Sequence, residues 1–315
     1  MNIYPWQNDL FGKLLSSRLP HALLLKGRAG IGKLDFAAEC SRALLCLSPD
    51  AAGRACGACS SCNWFASGSH PDFRRMEPAE ESKGQITVEQ VRSLSGFVGM
   101  TSGGYRIVLI HPADAMNASA ANALLKTLEE PPGNILFILV SSRPNHLLPT
   151  ILSRCRVVSM PRPGPDEAEK WLKSQGLEDP SSRLAEAGNA PLLALRLSRE
   201  DASIRESFLR EISHPSTLDP IALAELHQKF PVSGPLSWLQ KWCFDIELYS
   251  LTGNVRYYPS LSDKIREIAG KTDRIGLAKY LGSLAQFQRI SNHPVNSRLF
   301  LEEVLLNYKL LTARR

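Results

Sequence analysis

No stretch of the 315 residues approaches the roughly 18 consecutive apolar positions that a membrane-spanning helix needs, which excludes a helical integral membrane protein. The opening residues, Met1 to Leu10, lack the charged-then-apolar order of a secretory signal, so a cytoplasmic location is expected. The chain also lacks internal repeats and low-complexity tracts, which sets aside solenoid arrays and disordered scaffolds. Its seven cysteines are an odd number without an export signal; that argues against a disulfide framework and leaves metal binding or buried thiols as their uses. A net charge of +6 is too modest to demand a polyanionic partner, although it is compatible with one. What remains is an ordinary globular composition, 43% hydrophobic, long enough for two or three domains.

The first half alternates short apolar runs with helical patterns, the signature of an α/β domain built on a largely parallel sheet buried on both faces. Strands are predicted at Ala22–Leu25, Ile107–Ile110, Ile135–Val140 and Val157–Met160. Lys33–Leu45 reads as a helix, and a second starts near Thr87, where Thr87 and Gln90 have capping-box spacing and Val88, Val91, Leu94 and Val98 recur at helical intervals. A third helix, Asn117–Leu128, is stopped by Pro131 and Pro132. The proline-rich segment Pro161–Pro165 reads as a linker, and everything beyond it is helical. Short patterns at Ala168–Leu172, at Ser182–Ala187 and after Pro191 suggest a small helical domain over 162–205. From Glu206 to the end, a bundle is expected, with Leu301, Val304, Leu305, Tyr308 and Leu311 on one face of its last helix.

Between the first predicted strand and the helix after it, Gly27, Gly32 and Lys33 satisfy the G-x-x-x-x-G-K core of a Walker A phosphate loop, and with Gly30 they are the candidate nucleotide-binding residues. Backbone amides of such a loop face phosphate oxygens, and the lysine adds positive charge. The next position should carry a hydroxyl to ligate the magnesium that bridges the β and γ phosphates, yet it is Leu34. The strand Ile107–Ile110, which should end in a magnesium-holding carboxylate, runs instead into His111 and Pro112, and Asp114 follows too late. Two independent defects at one site predict no ATP hydrolysis. Passive nucleotide binding and an empty vestigial loop both stay open.

Cys56, Cys59 and Cys62 form a C-x-x-C-x-x-C run, with Cys46 just upstream. Tight turns of this kind present sulfurs to one tetrahedral ion, and four thiolates leave no position for a substrate, so a structural zinc site is expected at Cys46, Cys56, Cys59 and Cys62. Cys40 is the alternative fourth ligand, and Cys155 and Cys243 read as core thiols. The continuation typical of bacterial ferredoxin clusters is missing after Cys62.

The segment Asn122–Pro132 reads NALLKTLEEPP and Thr150–Cys155 reads TILSRC. With the loop and the cysteines, these closely resemble the delta prime subunits of the bacterial DNA polymerase III clamp loader, relatives of its gamma and tau ATPases in the AAA+ class. The resemblance is dense over 1–161 and thin beyond. It implies an AAA+, RecA-like P-loop domain (1–161) with an inserted zinc module (46–62), then a helical lid (162–205) and an oligomerisation collar (206–315). It also implies a pentameric assembly with gamma/tau and delta subunits, in which ATP lies at subunit boundaries and drives loading of a sliding clamp onto primer-template DNA. Arg154 would then be the arginine supplied in trans to a neighbour's ATP, since a guanidinium's charge and planar donor fork suit phosphate oxygens. From the bare tripeptide Ser153-Arg154-Cys155, an arginine bonded within its own domain is the competing reading.

In the ATPase relatives the lid carries a sensing arginine in a G-x-x-R segment; here Gly188, Asn189 and Ala190 are followed by Pro191. Ser141 or Ser142 stands near the first sensor position. The resemblance therefore points to a non-hydrolysing stator. A hydrolysing gamma/tau-type ATPase is opposed by Leu34, His111, Pro112 and Pro191. A zinc-dependent nucleic-acid-binding module is opposed by Gly53–His70, whose only strong cation is Arg54.

Overall fold

The computed structural model describes residues 3–82, 84–99, 103–199, 202–290 and 296–312, which fall into two compact units, Met1–Glu167 and Ala168–Arg315. The first is built on five parallel strands: β1 (Ala22–Lys26), β2 (Phe73–Met76), β3 (Arg106–Ile110), β4 (Ile135–Ser141) and β5 (Arg156–Ser159), in the spatial order β2-β3-β4-β1-β5. Its helices are α1 (Asn8–Leu15), α2 (Lys33–Leu45), α3 (Ser60–Ala66), α4 (Val88–Gly99), α5 (Ala118–Glu129) and α6 (Pro149–Leu152).

The central strands are apolar without interruption because both faces of the sheet are covered. Ala22, Leu24, Val108, Ile110, Phe137 and Leu139 point to a core closed by α4 and α5. Leu23, Leu25, Ile107, Leu109, Leu136 and Ile138 point the other way, onto Phe11 and Leu14 of α1 and Phe36, Ala37 and Cys40 of α2. Local signals set the helix starts. The Gln90 side chain accepts from the Thr87 N–H at 3.0 Å, and Asn117 caps α5 by accepting from the Ala120 N–H at 2.8 Å. Sequence patterning missed β2, whose middle residues Arg74 and Arg75 are exposed, and the short helices α1, α3 and α6.

The second unit is all-helical after α7 (Pro165–Ser174), which begins just ahead of it: α8 (Pro180–Glu186), α9 (Pro191–Arg199), α10 (Ala202–Ile212), α11 (Pro220–His227), α12 (Ser233–Thr252), α13 (Ser262–Ala269), α14 (Arg274–Ile290) and α15 (Ser297–Thr312). Ala168, Leu172, Leu184, Ala194 and Leu197 form a small core of their own. A larger one gathers Phe208, Leu236, Trp242, Leu277, Leu301, Val304 and Tyr308. Within it Trp242 Nε1 donates to the Tyr308 hydroxyl at 2.9 Å, which donates to the Ile212 carbonyl at 2.8 Å, so one buried relay ties α12, α15 and α10.

His227, 1% exposed, packs against the rings of Phe208, Trp238 and Phe230, and among the described residues neither ring nitrogen has a hydrogen-bond partner. Burial pushes its pKa below the usual histidine value, so the fold holds the neutral ring. The unfolded chain therefore takes up the proton first, and His227 withdraws stability as pH falls below about 6.5. In urea titrations, His227→Phe should flatten the loss of stability between pH 7 and pH 5 by up to about 1.4 kcal/mol per pH unit, the slope for one proton. An unaltered slope would assign the acid sensitivity to other groups.

Candidate functional site

The phosphate loop runs from the end of β1 to the first turn of α2, where Gly30 and Gly32 take positive φ of 77° and 85°. Glycine is required at 32 on a second count: a Cβ there would lie 2.3 Å from the Tyr4 ring. The N-terminal segment closes over this loop. The Tyr4 hydroxyl donates to Asp35 at 2.7 Å, Trp6 Nε1 donates to the Ile31 carbonyl at 3.0 Å, and Gln7 Nε2 donates to the carbonyls of Ile31 and Gly32 at 2.8 and 3.0 Å. The polar tips on an otherwise apolar Tyr-x-Trp-Gln stretch were the signal that patterning missed.

Lys33 is 5% exposed, and its ammonium donates to the Arg28 carbonyl at 2.5 Å and to Ser142 Oγ at 2.9 Å. Burial lowers its pKa to about 8, while the Asp114 carboxylate acts in the opposite direction. Leu34 packs against the α1–α2 side of the core, so position 34 offers no side-chain oxygen to a cation. At the end of β3, His111 Nδ1 faces Glu77 at 3.3 Å. Asp114, on a short 3-10 turn, accepts from Ser141 Oγ at 2.6 Å, from the Ser142 N–H at 3.2 Å and from Arg143 Nε at 2.9 Å. Burial works against its charge, but the Ser141 and Arg143 bonds prevail and hold this carboxyl below the usual range. Its oxygens therefore pin the end of β4, where Ser141 faces Asp114 and Ser142 faces Lys33.

Cys46, Cys56, Cys59 and Cys62 meet in one cluster, their sulfurs within 4.8 Å of one another, a group that could hold a metal ion. Four of the S···S separations are 3.6, 3.7, 3.9 and 4.0 Å. A tetrahedron with metal–sulfur bonds of about 2.3 Å has edges of about 3.8 Å, which these four separations match. Gly57 at φ 77° turns the chain between the first two cysteines of the run, and Cys59 caps α3 through its sulfur, which accepts from the Cys62 N–H at 3.5 Å. N–H donors favour thiolate: those of Cys62 and Leu47 lower the Cys59 pKa to about 6, and those of Ala58 and Cys59 lower that of Cys56. Burial pushes Cys62 up to about 12, so that sulfur ionises readily only beside a cation. Cys40 is buried in the α1–α2 core, away from the cluster, and Cys155 and Cys243 are likewise buried.

A buried relay, invisible in the sequence, braces the cluster. The Asp72 N–H donates to His70 Nδ1 at 3.0 Å, which leaves the proton on Nε2, facing Ser61 Oγ at 2.9 Å. Ser61 in turn donates to the Leu45 carbonyl at 2.6 Å, so the residues beside Cys46 and Cys62 are tied to the start of β2.

Arg154 follows α6 at the protein surface. Its Nη2 pairs with Glu129 at the end of α5, while Nη1 donates to the Thr150 carbonyl at 3.0 Å and to Ser153 Oγ at 3.3 Å. The side chain keeps 32% of its surface exposed, and none of these partners belongs to the phosphate loop.

Residues 6–164 match the family model described as DNA polymerase III, delta subunit. The DNA polymerase III subunit delta' of Pseudomonas aeruginosa is 39% identical over 321 residues, covering 97% of this chain and 96% of that protein. That of Yersinia pestis is 32% identical over 332 residues, covering 98% and 96%. Among solved structures, a DNA polymerase III gamma subunit-related protein from Thermotoga maritima aligns over 97% of this chain and 99% of its own, with 18% identity and a TM-score of 0.47. A parallel α/β domain with a phosphate loop and a surface arginine, matched along nearly its whole length by these relatives, makes the chain a member of the DNA polymerase III delta' family.

Proposed function

We propose that the chain is a non-hydrolysing stator of the DNA polymerase III clamp loader, which lends Arg154 to the ATP site of a neighbouring gamma/tau subunit. ATP bound by the neighbours opens the sliding clamp with the delta subunit, primer-template DNA enters the ring, and hydrolysis releases the clamp closed on DNA. In this reading 1–161 is the AAA+ P-loop domain, 162–205 a lid and 206–315 the collar that joins the subunits. Leu299, Leu306 and Leu310, left exposed along one side of α15, support the collar role. Zinc at Cys46, Cys56, Cys59 and Cys62 is structural, because four thiolates complete its coordination.

The observation that carries the non-hydrolysing part is Leu34, an alkyl side chain half-buried against the core where a Walker A loop would carry its magnesium-binding hydroxyl. Lys33 would have to leave Ser142 and the Arg28 carbonyl to meet a phosphate, which weakens any nucleotide binding here. The isolated chain should show no magnesium-dependent ATPase above background, while a loader reconstituted with gamma/tau and delta subunits turns over ATP. Clear magnesium-dependent hydrolysis by the chain alone would overturn this reading.

A further inference from the structure

Glu129 is the last residue of α5 and is followed by Glu130 and two prolines. Carboxylates are unfavourable at a helix C-terminus, where unpaired carbonyls already carry partial negative charge. Here Glu129 has found a compensating cation 25 residues away, in Arg154. The guanidinium is thus held at two places. Nη1 is anchored on the Thr150 carbonyl of α6 and on Ser153 Oγ, and Nη2 on Glu129. An arginine offers five N–H donors, so two remain without a partner among the described residues.

We propose that Glu129 is a positioning residue for Arg154, selecting the rotamer in which the two remaining donors face outward to a neighbour's triphosphate. This rests on the trans role proposed above for Arg154. An arginine on a surface loop samples many rotamers, and holding one of them in advance reduces the ordering required when the charge of the transition state develops. The pair is half-exposed, with Glu129 keeping 50% of its side-chain surface, so it biases the rotamer without competing seriously against a triphosphate. Positioning and charge compensation predict opposite signs. If Glu129 merely neutralised the guanidinium, removing it would speed hydrolysis; if it orients the guanidinium, removal slows it.

The test is ATP turnover by the full loader reconstituted with Glu129→Ala, Glu129→Gln, Arg154→Ala and the Glu129→Ala/Arg154→Ala double variant. Glu129→Ala should lower kcat about fivefold, the factor an exposed ion pair supports, with little change in KM. Glu129→Gln, which keeps an acceptor at the same reach, should recover part of the loss. In the Arg154→Ala background, Glu129→Ala should have no further effect, a dependence that a merely structural role would not produce. Normal or faster turnover by Glu129→Ala, or an equal loss with and without Arg154, overturns the positioning role while leaving the trans arginine intact. Normal turnover by Arg154→Ala would instead remove the trans role itself.

Discussion

Replacing Arg154 by alanine should leave one ATP of the reconstituted loader unhydrolysed in a single turnover and should collapse clamp loading. An arginine supplied in trans stabilises charge spreading over the transferred phosphoryl group, and its loss typically costs on the order of 10³ or more in rate at the site it serves. The chain itself should stay folded. Its ion pair with Glu129 is half-exposed and screened by water, and pairs of this kind contribute about 0.2 to 1 kcal/mol. Arg154→Lys should rescue poorly, because an ammonium keeps the charge but loses the planar fork. An unchanged amount of ATP hydrolysed in the first turnover, together with normal clamp loading, would show Arg154 to be an arginine of its own domain only.

Protein purified without chelator should carry one zinc per chain, lost in Cys56→Ser, Cys59→Ser and Cys62→Ser and retained in Cys40→Ala. Structural zinc held by thiolates binds with an apparent free energy on the order of 10 kcal/mol near pH 7, all of it coupled to the order of the loop it closes. Removing the ion should therefore unfold 46–62 while the sheet persists, since the strands bury their own two cores on either side. Limited proteolysis would read this as new cleavage between Cys46 and His70 with the remainder protected. Cobalt substitution should give the absorption of a tetrahedral thiolate site. Elemental analysis without stoichiometric metal would remove the site, and metal loss in Cys40→Ala would move its fourth ligand.

The strands could be read from the sequence because a doubly covered sheet demands unbroken apolar runs, as in Ala22–Leu25 and Ile135–Val140, and the structure places both as strands. Helix α2 is found at Lys33–Leu45 as its pattern predicted, and α5 starts after its Asn117 cap. β2 was missed because Arg74 and Arg75 lie on an exposed edge strand, where no apolar pattern is required. α3 was missed because its seven residues, which follow the capping Cys59 and include Cys62, are too few to display a helical period.

By itself, the sequence determined the strand–loop–helix order, the leucine rather than a hydroxyl residue after Lys33, the thiol run Cys56, Cys59 and Cys62, and the segments that mark the family. Each of these is a matter of residue type at short spacing, where the geometry of one turn or one strand dictates what must be present. Tertiary packing alone decided that Cys46 rather than Cys40 joins the other sulfurs, that Tyr4 and Gln7 close over Gly32, that Ser142 receives Lys33, and that Glu129 holds Arg154. Those pairs lie 10 to 109 residues apart along the chain. They are set by which surfaces exclude water together and by which buried polar groups must then find partners, a balance that no local pattern records.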